Sequence, residues 1–160
     1  MESAVKQEFT RRISQANSTE MVVILYEIAL TYIREAGQLA EQGRGGDMEQ
    51  FHLSISHARS CISELIASLH MEYAPAPEMY RLYKYCIRLL AVCEARQKAE
   101  SLAEVTKILT ALHDAYASVA HLNQDGPVMG NSQSVYAGLT YGRDSLNENM
   151  MGQVNRGFKA

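Results

Sequence analysis

Apolar residues along the chain fall into four amphipathic runs separated by turn signals. The first opens at Asn17-Ser18-Thr19-Glu20. Asn17 is placed to accept from an early amide and Glu20 to reach back to the cap, which makes a capping box. Met21, Leu25, Ile28, Tyr32 and Leu39 then recur at helical spacing, with Val22, Ala29, Ile33, Ala36 and Ala40 widening the stripe. The pattern predicts a helix over 18–42, ended by Gly43, Gly45 and Gly46. Asp47 opens the second helix, whose face is Phe51, Ile55, Ala58, Ile62, Leu65 and Leu69. Ala74-Pro75-Ala76-Pro77 stops it, because proline removes a donor, and Pro77 also suits the first turn of the next helix. The third carries Met79, Leu82, Tyr83, Cys86, Leu89, Leu90 and Cys93 and fades through Glu94–Lys98. Ser101-Leu102-Ala103-Glu104 reads as another capping box, followed by Val105, Leu109, Leu112, Tyr116 and Val119 to about Leu122. Four such helices on short connections predict an all-α fold, an antiparallel four-helix bundle.

Both ends differ from the middle. Val5, Phe9 and Ile13 sit at fourfold spacing in a short N-terminal stretch expected to be flexible. The 38 residues from Asn123 hold six of the ten glycines, so the bundle is expected over 1–122 and a Gly/Asn-rich tail over 123–160. Apolar anchors punctuate that tail: Val135, Tyr136, Leu139 and Tyr141, then Leu146, Met150, Val154 and Phe158 every four residues. Short anchors in a flexible frame suit a segment that folds against something, and Tyr136, Leu139, Tyr141, Leu146, Met150, Val154 and Phe158 are candidates for docking back on the bundle.

Length and composition support one domain with its own core: 160 residues, 47% apolar and 21% charged. A net charge of -3 with mixed signs gives a phosphate backbone little reason to approach, so no nucleic-acid partner is expected. No run approaches a membrane span or a signal peptide, which predicts a cytoplasmic protein without membrane insertion. Cys61, Cys86 and Cys93 occupy apolar faces and read as reduced core thiols.

Catalytic chemistry is hard to assemble. His52, His57, His70, His113 and His121 form no close metal-ligand set, and Glu49–His52 is half of a di-iron motif without its second copy. Gly43-Arg44-Gly45-Gly46 lacks the Lys-Ser/Thr ending of a phosphate loop. The expectation is a protein with no cofactor, no metal and no enzymatic activity. Tyr80, Tyr83 and Tyr85 cannot all face one core, so either the polar hydroxyl lets some of them stay partly exposed or surplus apolar surface forms a groove for a partner helix.

Three stretches resemble the FliS family of flagellin export chaperones. Ile13 to Glu27 is similar to the family's N-terminal pattern running into Leu-Tyr-Asp. Glu64-Leu65-Ile66-Ala67-Ser68-Leu69, with Leu82-Tyr83-Lys84-Tyr85 and Arg88-Leu89-Leu90, is similar to its second block, and Ile108 to Tyr116 to a third. The resemblance implies a chaperone for the C-terminal segment of flagellin, which it keeps from polymerising and delivers to a component of the flagellar type III export gate. A helical adaptor or regulator for another amphipathic client is the alternative. Client-groove candidates on the matched faces are Ile13, Leu25, Tyr26, Leu65, Leu69, Leu82, Tyr83, Tyr85, Leu90 and Tyr116.

Overall fold

A computed structural model of the chain describes residues 3–42 and 47–129. These residues form five α-helices: α1 Ser3–Gln15, α2 Ser18–Glu41, α3 Met48–Ala67, α4 Ala76–Arg96 and α5 Leu102–Ala120. The fold is an all-α bundle, as the periodicity predicts. The N-terminal stretch, expected to be flexible, is instead the helix α1. It buries no residue and is held partly by ion pairs. Arg11 reaches Glu8 at 2.7 Å within the helix, while Arg12 grips Glu27 of α2, its Nη2 donating at 3.0 Å. His113 of α5 approaches the same Glu27 carboxylate at 3.7 Å. The fourfold spacing of Val5, Phe9 and Ile13 is thus a helical stripe too narrow to be sealed.

Capping explains where the helices begin. Asn17 Oδ1 accepts from the Glu20 amide at 2.9 Å, and the Glu20 side chain accepts from the Asn17 amide at 2.9 Å, closing the expected box. Asp47 accepts from the Gln50 amide at 2.9 Å. Gln50 does not return the bond, because its amide group turns to Glu35 on α2 at 3.2 Å. The third box does not form: Ser101 makes no side-chain cap, and Glu104 is engaged elsewhere. At the other ends, α3 stops at Ala67, before Leu69 and well before the prolines. Gln97, at φ 53°, terminates α4 in the left-handed region, its amide returning to the Cys93 carbonyl.

Cross-helix contacts show that neighbours run antiparallel. Tyr32 stacks on His57 at 4.8 Å between α2 and α3; Arg59 donates to Glu94 at 3.1 Å between α3 and α4; Tyr85 pairs with Glu104 between α4 and α5. The ring closes where α5 returns to α2, and Tyr26 and Tyr116 meet there at 5.8 Å. The core comprises Tyr26, Ala29, Ile33 and Ala36 of α2, Phe51, Ile55, Ala58, Ile62 and Leu65 of α3, Tyr83, Cys86, Leu90 and Cys93 of α4, and Leu102, Val105 and Leu109 of α5. On α3 this is the predicted face. On α2 it is rotated by about one residue, roughly 100°, from the expected Met21–Leu25–Ile28–Tyr32 line, whose members are only half-buried. Packed between α3 and α5, α2 turns its small residues Ala29 and Ala36 inward so that the neighbours approach closely.

Beyond α5 the chain folds back on the start of α2. Asn17 Nδ2 donates to the Asn123 carbonyl at 3.3 Å, Asn123 Nδ2 donates to Thr19 Oγ1 at 2.9 Å, and the Val128 amide donates to the Ala16 carbonyl at 3.0 Å. The helices and this return segment form one compact unit to Val128. The tail anchors Tyr136, Leu139, Tyr141, Leu146, Met150, Val154 and Phe158 lie outside the described residues. No helix among the described residues is long and apolar enough to cross a membrane.

Candidate functional site

The ten groove candidates separate into three groups. Tyr26, Leu65, Tyr83 and Leu90 are core residues, each at most 1% exposed, and do not line a surface groove. They lie on helical stripes broad enough to read either way, and closure of the four-helix ring seals them. The hydroxyls of Tyr26 and Tyr83 bond to each other inside the core, which satisfies two polar groups that burial would otherwise penalise. Ile13, Leu25 and Leu69 are half-buried on α1, on α2 and in the α3–α4 turn. Leu82 and Tyr85 of α4 lie on the α4–α5 side, and Tyr116 of α5 packs against Tyr26 of α2 and Met79 of α4.

That side carries a broad apolar groove. Leu82 from α4 faces Ala103, Ile108, Ala111 and Leu112 from α5 across a volume of about 590 Å³, with Glu104 and Lys107 at its polar margin. Leu82 is 39% exposed although it sits mid-helix. Tyr85 closes one margin: its hydroxyl donates to Glu104 Oε1 at 2.8 Å, which pushes the phenol above its ordinary range, and Arg88 lies over its ring at 5.2 Å. Tyr116, half-buried, packs its ring on Tyr26 and directs its hydroxyl to Met79 Sδ at 3.8 Å. Two other clefts are more polar. One, of about 440 Å³ beneath α1, has walls of Arg11, Arg12 and Glu20 beside Val23 and Ile24. The other, between α2 and α5, has Arg34, Glu41, Thr106 and Thr110 around Leu102.

The apolar period does not single out Ile108, and it places Leu112 on the core stripe. The available signal was the width of α5. Leu102, Val105 and Leu109 complete a sealed stripe, and Ile108 and Leu112, with Ala103 and Ala111, make an adjacent one for which a four-helix ring has no further neighbour.

The groove offers apolar contact with Glu104 and Lys107 at its margin. Among the described residues no group of three or more His, Cys, Asp or Glu is placed to hold a metal ion. Burial pushes the thiols of Cys61 and Cys86 up to about 11, so both are protonated at neutral pH and are poor nucleophiles. Unfolded, they lose their protons near pH ~8.5. Between those values the folded chain binds more protons than the unfolded chain, so stability falls as pH rises. This contribution is whole below the unfolded value and is lost as pH climbs through about 11. The melting temperature is therefore expected to decline between pH 9 and 11, less steeply in a Cys61→Ala, Cys86→Ala double variant. An unchanged slope in that variant would assign the alkaline loss to other groups.

A family model described as "Flagellar protein FliS" matches residues 1–123. No curated protein matches the chain.

Proposed function

For a chain that belongs to the FliS family of flagellar proteins, we propose the role of a cytoplasmic chaperone that binds the C-terminal segment of flagellin in the α4–α5 groove. It keeps that segment from polymerising and presents it to a component of the flagellar type III export gate. Its work is recognition, without catalysis or cofactor. The observation that carries the reading is the apolar channel in which Leu82, Ile108 and Leu112 remain accessible after the bundle has closed its own core.

The physics suits a client that must be held and then released. An isolated amphipathic segment is marginal as a helix in water, and a groove that buries one face supplies the missing stabilisation. Ordering the segment consumes part of the binding energy, so a large contact area remains compatible with release. Titrating the full-length chain with a flagellin C-terminal peptide is expected to give 1:1 binding by calorimetry. The far-ultraviolet circular dichroism of the complex should exceed the sum of its parts. Absence of both heat and a shift in size-exclusion elution would remove flagellin as the client, and binding with an unchanged dichroism sum would remove coupled folding.

A further inference from the structure

We infer that the α4–α5 groove selects its occupant by charge as well as by apolar contact: the partner is an amphipathic helix whose apolar edge is flanked by carboxylates, read by a basic rim of Arg81, Arg88 and Lys107. The inference rests on the groove being the client site, and it adds to that reading the chemistry of the client's polar flank.

Helix geometry builds the rim. Leu82 is the α4 wall of the groove, and Tyr85 stands beside it, directed at α5 by its bond to Glu104. Arg81 lies one turn before Tyr85 and Arg88 three residues after it, so the three share one strip of α4. Arg88 rests over the Tyr85 ring at 5.2 Å, and both arginines are exposed. On α5, Lys107 lines the opposite wall, next in sequence to Ile108, and it too is exposed. Cations therefore stand on both sides of the surface formed by Leu82, Ile108 and Leu112.

Those charges are not spent inside the bundle. Among the described residues the ion pairs of lysine and arginine engage Arg11, Arg12, Arg59 and Lys98, none of them on this rim. The carboxylate in the groove, Glu104, already accepts the Tyr85 hydroxyl at 2.8 Å. Two further acids, Glu78 and Asp114, lie at the end where α4 begins and Tyr116 meets Met79, and Asp114 is bonded to His113 Nδ1 at 2.8 Å. The two turns from Arg81 to Arg88, with Lys107 across from them, thus carry a local positive excess on a chain whose net charge is -3. The other clefts show no such excess. Beneath α1, Arg11 and Arg12 are committed to Glu8 and Glu27, and between α2 and α5, Arg34 shares the wall with Glu41.

A carboxylate beside the apolar edge of a bound helix meets Lys107 on one flank or an arginine on the other. A partly exposed pair of this kind contributes up to about fivefold in affinity, and several together make a preference of about tenfold. The same rim repels a helix flanked by cations, so it rejects as well as attracts. With a screening length of about 10 Å at 0.1 M salt, the preference weakens as salt rises.

Two synthetic amphipathic peptides of equal length test it, with the same leucine edge and either glutamate or lysine on both flanks, residues of similar helix propensity. Calorimetry on the full chain is expected to show the glutamate peptide binding about tenfold more tightly than the lysine peptide at low salt, against the sign of the chain's net charge. The gap should close at about 0.5 M salt and reverse in the triple variant R81E, R88E, K107E. No binding of either peptide, equal affinities, a preference for lysine or a gap indifferent to salt would overturn the inference. A glutamate preference that survives in the triple variant, with its circular dichroism unchanged, would overturn it too. The salt series needs no substitution, so it decides the matter even if the triple variant fails to fold. Competition with the flagellin peptide separates the two readings. A salt-sensitive glutamate preference without displacement by flagellin keeps the basic rim and removes flagellin as its occupant. Flagellin binding that depends on Leu82, without any charge preference, keeps the client site and removes the rim as its selector.

Discussion

Truncating Tyr83 to alanine is expected to lower the unfolding free energy by about 4 kcal/mol, measured as a displaced urea midpoint. Tyr83 is sealed at 1% exposure, its ring 6.3 Å from that of Tyr26 and its hydroxyl bonded to the Tyr26 hydroxyl. Alanine removes the ring, opens a cavity and strands a buried phenol, and the three losses act together. Finer substitutions separate them. Tyr83→Phe keeps the volume and leaves only the Tyr26 hydroxyl unpartnered, at a loss of about 1–2 kcal/mol. Tyr26→Phe combined with Tyr83→Phe removes both hydroxyls and should return much of that loss. Burial also raises both phenol pKa values, Tyr83 to about 12, so neither group ionises while the bundle is folded at physiological pH. If Tyr83→Ala melted normally and lost only client affinity, Tyr83 would belong to the binding surface and the core assignment would be wrong.

Leu82→Asp is expected to do the reverse, leaving stability within about 0.5 kcal/mol while weakening the flagellin peptide at least tenfold. Leu82 is partly exposed, so its aspartate stays hydrated in the free protein and is desolvated only when a helix lies over it. Leu53→Asp is the matched control. It lies on α3, which does not flank the groove, and is exposed to a similar degree. Equal losses from Leu53→Asp and Leu82→Asp would mean that no specific groove exists, and no loss from Leu82→Asp would move the site off the α4–α5 face.

Local information determined much of this protein. The turn signals and the caps at Asn17 and Asp47 are decided within a few residues, and they set where α2 and α3 begin. The period of the apolar residues determined the helices, and on α3 it also selected the buried face, because Phe51, Ile55, Ala58, Ile62 and Leu65 form a single stripe with no competitor. Tertiary packing decided what a stripe touches. On α2 two adjacent stripes were available, and the need to approach α3 and α5 together chose the one with Ala29 and Ala36. The capping box at Ser101 was lost for a related reason: Glu104 meets Tyr85 from α4, a partner more than a dozen residues away in the chain. The binding surface follows the same rule. Tyr83 and Leu82 are neighbours in sequence and equally plausible anchors there, yet about 100° of helix rotation puts one in the sealed interior and the other at the mouth of the groove. Which residues are apolar is written locally, but which of them remain uncovered depends on how many helices arrive to cover them.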